Sequence, residues 1–513
     1  MKLKKNRKKK RKKGINLRYL VSGKEMKLLD QNTSVSLRVP ELVLMEQAAM
    51  AFVQRLFGIQ NNIESALIVC GSGNNGADGL AIARLLHERG VAVTALLAGE
   101  AGGHKTTNSY KVQKQICEAY ELTLVESQQI PQEDYALIVD AIFGIGLSRN
   151  ITGAFATLLD AMNEKAAWRV AVDIASGIDA ESGAVLGSAF CADDTITFAY
   201  GKVGQYLWPG SDFSGRISVV PMGITKASWL DKKPRLAVLE ESDLSWLPAR
   251  SDHTNKGSYG RLLIIAGSVN MAGAAVLAAK AAYRTGCGLV KVMTPEENRT
   301  IVQTAVPEAL FATYGLEFDE EQVIEELKWA DAVVLGPGIG TDRQAQRIVD
   351  LTLHHCEVPL LVDADALNLI AQTPALLSEP HTDMIVTPHL GEMARLTGDT
   401  VALLQSRLIE SARNFAQTYD VICVLKDFRT VTSEPYGLDY LNLSGNHGMA
   451  TAGSGDVLSG VIGSLLAQGM RPEKAAPLGV YLHGLAGDAA VQTCTRRALM
   501  ASDIIEGLRG ILS

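Results

Sequence analysis

Two stretches of this chain set glycine-rich turns beside acidic or amide side chains, a combination that can bind phosphates, hold ions and move protons. The first is CGSGNNGADGL, residues 70–80. Gly71, Gly73 and Gly76 match the spacing G-x-G-x-x-G, in which backbone N–H groups approach a phosphate at a helix N-terminus. A structural turn without ligand fits these glycines, and so does a dinucleotide fingerprint. The fingerprint does not explain Asn74, Asn75 and Asp78, which put three polar side chains inside the turn and suggest a polar ligand or an ion. Asp140 follows ALIV and Asp173 follows RVAV, so both carboxylates sit at the carboxyl ends of apparent parallel strands. Each alone could be a helix cap. Together Asn75, Asp140 and Ser176 form a hard-oxygen set that suits a group-1 or group-2 cation rather than zinc.

The second stretch is GNHGMATAGSGDVLSGVIGSLLAQG, residues 445–469. Gly453, Ser454 and Gly455 precede an apolar helix that should begin near Asp456. Their amides and the helix dipole can stabilise negative charge developing on a phosphoryl group. Asp456 would then lie within reach of an attacking hydroxyl as a base. The plain alternative is an N-cap aspartate after a flexible turn. Other strand ends add GPGIG (336–340), His389 in TPHLGEMARL, and Lys426 and Thr430 in KDFRT, which could reach nucleotide phosphates. His389 could equally be a cap, and Lys426 a solvated lysine.

The elements that must position these residues alternate in a βαβ rhythm. Residues 24–57 read as helical. ALIVC (66–70), VAVTALLA (91–98), YALIVDAIFG (135–144) and WRVAVDIASG (168–177) read as strands, with a helix over 78–90. The rhythm weakens over 222–258 and restarts at RLLIIAGS (261–268), followed by a helix over 274–286. Further strands are expected at 330–338, 359–365, 383–388 and 421–427, with a closing helix near 502–511. The expected fold class is α/β: mostly parallel sheets with helices on both faces.

At 513 residues the chain is too long for one ordinary core. Its 47% hydrophobic and 20% charged residues are ordinary for a globular protein. A net charge of -7 gives no global attraction to nucleic acid, and no specific nucleic-acid partner is expected. The basic run at 2–13 reads as a solvated, disordered tail whose deletion should change thermal stability little; a weak RNA or membrane-surface contact is the alternative. No run of about 18 apolar residues predicts a membrane span. The seven scattered cysteines, without C-x-x-C, argue against a disulfide framework or zinc knuckle and fit a cytoplasmic setting.

NNGADG, VDAIFGIG and VDIASGIDA, in this order, resemble the NAD(P)H-hydrate epimerase family over roughly 24–220. That resemblance implies a potassium ion at Asn75, Asp140 and Ser176. It implies hydrate contacts at Asn74, Asn75, Gly76, Ala77 and Asp78, and at Gly144, Ile145, Gly146, Leu147, Ser148, Arg149 and Asn150. Asp173 would be the acid beside the reacting carbon. The second constellation resembles the NAD(P)H-hydrate dehydratase family, a ribokinase-like branch, over roughly 240–513. This implies substrate contacts at Ala274, Gly338, His389 and Asp456. Nucleotide contacts would be Lys426, Asp427, Phe428, Arg429 and Thr430, with Gly453, Ser454 and Gly455. Asp427 stands where that family usually has glycine, and adds a negative charge near the presumed phosphates.

The implied organisation is a basic tail over 1–14, a Rossmann-like three-layer epimerase domain over 15–230 and a ribokinase-like dehydratase domain over 240–513. The implied activity is repair of hydrated NADH and NADPH, with K+ in the first domain and Mg2+ with ADP in the second. A homo-oligomer is expected. Two rivals remain at this point. A small-molecule kinase would release a stable phosphate ester, and a nucleotide-sensing or RNA-binding protein would have no need of Asp140, Asp173 and Asp456 together.

Overall fold

Along the strand Ser65–Cys70 (β1), Leu67 and Val69 enter one apolar cluster, whereas Ala66, Ile68 and Cys70 enter another. Successive side chains of a strand point to opposite faces. A strand whose apolar residues divide between two clusters in this way must therefore be covered on both faces, as parallel sheets are. The same division holds in Leu137–Ala141 (β4) and Trp168–Val172 (β5). With Ala92–Leu96 (β2), Thr123–Val125 (β3), Asp194–Phe198 (β6) and Arg216–Val220 (β7) they form a parallel sheet in the order β3-β2-β1-β4-β5-β6-β7. The order reverses between β1 and β4, so the crevice for a ligand opens at their carboxyl ends.

The computed structural model describes residues 17–315, 319–378 and 383–512. The basic tail expected over 1–14 lies outside the described residues. Contacts gather the chain into two units. One is Tyr19–Leu236 with Thr400–Leu408, and the other is Ala237–Asp399 with Ile409–Ser513.

In the first unit the helical stretch expected over 24–57 forms two helices. Gly23–Gln31 (α1) starts on a Ser22 capping box and passes through a π-helical turn at Asn32–Ser36. The chain then turns at Pro40, and Glu41–Ile59 (α2) begins. A proline disfavours helical backbone in the residue before it, which accounts for the break. By length and composition α2 could cross a membrane. Its Leu44, Met45, Ala48, Ala49, Phe52, Val53 and Leu56 are nevertheless buried in the core. The helix expected from residue 78 starts earlier, as Asn74–His87 (α3), so the glycine turn runs directly into it.

Among the described residues the second unit includes the strands Arg261–Ile265 (β8), Leu289–Pro295 (β9), Leu310–Tyr314 (β10), Ala332–Leu335 (β11), Leu360–Val362 (β12), Met384–Val386 (β13), Ile422–Leu425 (β14), Val431–Ser433 (β15) and Asp439–Leu441 (β16). They run β10-β9-β8-β11-β12-β13-β14-β15-β16, parallel as far as β14 and antiparallel beyond. Here too the order reverses, between β8 and β11. The helix Ala272–Thr285 (α4) packs closely on Ser454–Ala467 (α6, after Leu390–Thr397, α5). A Cβ on Gly460 of α6 would stand 2.1 Å from the Ala278 carbonyl oxygen of α4, which only glycine permits. Gly460→Ala should push the helices apart and destabilise this unit by about 1–3 kcal/mol, read as a lower midpoint in thermal or urea unfolding.

Candidate active sites

The first site is a cavity of about 880 Å³ at the carboxyl end of the first unit's sheet. Its wall includes Asn74, Asn75 and Asp78 of α3, the loop Gly144–Arg149, and Asp173 just after β5. These come from three separate strand ends, and the fold brings them together as the sequence suggested. Asp173 has φ +66, an uncommon backbone for a non-glycine residue. Its Oδ1 accepts hydrogen bonds from the Thr197 hydroxyl and the Phe198 amide, both at 3.0 Å, and a salt bridge from Lys202. The Lys202 side chain is fully buried, and its ammonium also donates to Thr197 Oγ1 and the Phe198 carbonyl.

Asp140 lies beneath this floor with no exposed surface. It accepts from the Ile142 amide (3.1 Å), the Ser176 hydroxyl (2.7 Å) and the Ser176 amide (2.7 Å). All three donors are neutral. Burial pushes its carboxyl up to about 6 against the pull of those bonds. Nearby, the buried Asn75 has an amide nitrogen without a hydrogen-bond partner, and a Cβ on Gly144 would lie 3.4 Å from its side chain. One buried carboxylate, one amide oxygen and one hydroxyl fit a weakly coordinated hard cation. Among the described residues no group of three or more His, Cys, Asp and Glu could hold a metal.

Three residues expected in this site do other work or stand aside. Gly76 packs on the Gly71 carbonyl, where a Cβ would come within 1.8 Å. Ala77 is buried in the core. Asn150 is exposed and does not line the cavity.

The second site gathers at the N-terminus of α6. Gly453 caps the helix at φ +85, and a Cβ there would come within 2.4 Å of Leu277. The helix therefore starts at Ser454, two residues before the expected Asp456. Facing it are the ends of β12 and β14. Lys426, after β14, donates to Asp363 Oδ1 at 2.8 Å, and Ser459 of α6 donates to Asp363 Oδ2 at 2.6 Å. A Cβ on Gly455 would lie 3.6 Å from Lys426 Nζ. The lysine, the open helix end and Asp456 thus share one small region. Burial works against the Lys426 ammonium, but Asp363 and Glu392 hold it above its ordinary value. Burial pushes Asp456 up to about 7; Asp363 and Asp365 add to this and Lys426 opposes it.

Gly338 and Ala274 are also brought together: a Cβ on Gly338 would stand 2.9 Å from that of Ala274. His389 does cap a helix. Its Nδ1 accepts from the amides of Gly391 (2.9 Å) and Glu392 (3.3 Å) at the start of α5. This fixes the proton on Nε2 when the ring is neutral. Burial, with Lys426 and Arg395, lowers its pKa, which favours that neutral form. The adjoining backbone places His389 beside Lys426, whose amide donates to the Pro388 carbonyl. Asp427 is half-buried in the following turn. Arg429 reaches the Leu443 carbonyl and lies 4.6 Å from the exposed Phe428 ring, and Thr430 joins the hairpin through its carbonyl.

Comparison with known proteins agrees with this two-site arrangement. Residues 262–509 match the family model described as NAD(P)H-hydrate dehydratase, and residues 41–204 that of the YjeF-related protein N-terminus. A bifunctional NAD(P)H-hydrate repair enzyme of Moorella thermoacetica is 37% identical over 96% of both chains. The chain belongs to the family of bifunctional NAD(P)H-hydrate repair enzymes. Its members of that name include one from Escherichia coli, 37% identical over 87% of this chain and 85% of that one. Another, from Leishmania major, is 31% identical over 90% and 88%. A solved ADP/ATP-dependent NAD(P)H-hydrate dehydratase from Bacillus subtilis is 30% identical, with a TM-score of 0.48 over 53% of this chain and 96% of that chain.

Several residues of these sites escaped the sequence reading. Asp363 stands in VDAD, a strand end of the same kind as Asp140, and that signal could have found it. Lys202 follows β6 in FAYGK and carried no motif. Removing Lys426 would strand the Asp363 charge, which is 1% exposed. Lys426→Met should cost about 3–5 kcal/mol in chemical unfolding, and adding Asp363→Asn should recover part of that loss.

Proposed function

We propose that the second unit dehydrates the S hydrate of NADH or NADPH at the expense of ADP, giving AMP and phosphate. The first unit interconverts the R and S hydrates and so feeds it. We take the two domains as 15–230 and 240–513. The observation that carries the reading is the convergence of Asp456, Lys426 and the open N-terminus of α6.

The hydrate is a poor substrate for elimination, because hydroxide is a poor leaving group. In the proposed sequence the Asp456 carboxylate takes the proton of the C6 hydroxyl. The hydroxyl oxygen then attacks the terminal phosphorus of ADP, and AMP departs with the electrons of the broken P–O bond. The α6 amides and Lys426 meet the charge on the transferring group. The N1 lone pair next expels phosphate from C6. Loss of a proton from C5 forms the C5=C6 bond and restores the dihydropyridine. Mg2+ bound with the nucleotide would neutralise phosphate charge. Ala274, Gly338 and His389 would line the hydrate's place.

In the first unit Asn75, Asp140 and Ser176 would hold K+, which supplies the countercharge that Asp140 lacks. Asp173 would move the proton needed for inversion at C6. The kinase rival loses ground because a kinase has no use for a hydrate epimerase on the same chain.

Four outcomes test this. Asp456 must be ionised to act, so dehydration should rise with pH through about 7 and then level off. Asp456→Asn should lower it about 10²–10⁴-fold while nucleotide binding persists. In a mixture of hydrates with ADP, Asp173→Ala should keep the initial burst of absorbance from NADH and leave a slow phase at the spontaneous rate. Potassium should speed the slow phase in the unaltered protein and fail to do so in Asp140→Asn. Loss of the burst in a folded Asp173→Ala protein would contradict the division of labour.

A further inference from the structure

The epimerase cavity has a wall that the sequence motifs do not touch. Met26, Lys27, Asp30, Gln31 and Ser34 all line it. They recur at the spacing of one helical face along α1 and the turn after it. This segment precedes residue 41, where the family match begins. Asp30 is the carboxyl group on that face. Among the described residues it accepts no hydrogen bond from the protein, unlike Asp173, which has three donors. Asp30 and Asp173 thus reach the same cavity from different elements and in opposite settings: one carboxyl is left unpaired, the other is bound to an ammonium.

We propose that Asp30 is the proton donor of the epimerase unit, working with Asp173 as the proton acceptor. The proposal rests on the epimerase reading given above. Inversion at a carbon carrying both nitrogen and hydroxyl needs one group to protonate the departing oxygen and another to deprotonate the arriving one, as in a pair of carboxyl groups flanking a glycosidic bond. Asp30 gives its proton to the C6 hydroxyl. The C6–O bond breaks with its electrons on oxygen, water leaves, and the N1 lone pair forms N1=C6. A water molecule then bonds to C6 from the other face, the N1=C6 pair returns to N1, and the proton released goes to Asp173. Asp30 ends ionised and Asp173 protonated; exchange with solvent restores both.

The surroundings suit a donor that keeps its proton near neutrality. Burial pushes the Asp30 carboxyl up to about 7; Asp173 and Glu41 push the same way, and Lys202 opposes them. The other charged groups facing the cavity are Lys27, Asp78 and Arg149. Asp78 is also raised well above its ordinary value, first by burial and then by Asp173, Asp30 and Glu41. It is the natural competitor for the role, and it sits on the α3 turn rather than on α1.

The experiment uses the full chain with mixed R and S hydrates and ADP, reading NADH absorbance in two phases. The burst comes from the other unit and, with the melting temperature, reports that a variant is folded. Asp30→Asn should slow the second phase about 10²–10⁴-fold at saturating hydrate, and Asp30→Glu should restore part of it. In the unaltered protein the second phase should fall as pH rises through about 7, and Asp30→Asn should abolish that fall. Hydrate inverted in water enriched in oxygen-18 should carry the heavy oxygen.

A normal second phase in Asp30→Asn would overturn the proposal, as would a change in KM alone. So would loss of epimerisation in Asp78→Asn with retention in Asp30→Asn, or inversion without solvent oxygen. If the unaltered protein shows no second phase faster than the spontaneous one, the epimerase reading itself has failed, which is a separate result.

Discussion

The ion pair between Lys426 and Asp363 fixes the geometry of the second unit's site. Asp363 is almost wholly buried, and a buried carboxylate is tolerated only when its charge and lone pairs are met. It is met from two directions, by Lys426 at the end of β14 and by Ser459 from α6. One carboxylate therefore ties a strand end to the helix whose N-terminus is proposed to meet the transferring phosphoryl group. The same pair sets the electrostatics. Burial raises Asp456 and lowers the capping His389; Asp363 adds to the first shift and opposes the second, and Lys426 does the reverse.

The first unit handles its strand-end carboxylates differently. Asp173 has its own lysine, Lys202, whereas Asp140 has only neutral donors. A carboxylate in low dielectric without a countercharge either takes a proton or recruits a cation. The Asn75 and Ser176 side-chain oxygens are hard donors that would suit recruitment. That contrast separates the two acids into roles: one beside the cavity, one beneath it.

The strand ends were legible in the sequence because apolar runs stop abruptly at polar residues. That pattern pointed to Asn75, Asp140, Asp173, His389 and Lys426 at strand ends, whereas the glycine turn before an apolar helix pointed to Asp456. What the sequence concealed was pairing. Lys426 and Asp363 are 63 residues apart, and no periodicity links them. Asp30 sits on a short amphipathic helix and looks like any solvent-facing acid until the cavity is seen. Helix starts were misjudged in the same direction at α3 and α6. In both, glycine-rich turns begin the helix before its apolar pattern becomes visible. Gly76 and Ala77 belong to a motif, yet packing alone accounts for them. Within 24–57, read as helical, the helix breaks at Pro40, where the backbone rule interrupts it.

Asp173 carries a further consequence. Its left-handed backbone is one that glycine would adopt without penalty, so the position is mildly strained as it stands. Yet glycine there would leave the Lys202 ammonium in a site with no exposed surface and no carboxylate. Lysine cannot be lost first either, because the acid would then keep its strained position without its strongest partner. The two positions are therefore locked together in sequence space. Drift at either one is closed unless the other changes in the same step, and a descendant that abandoned the chemistry would have to exchange both residues at once.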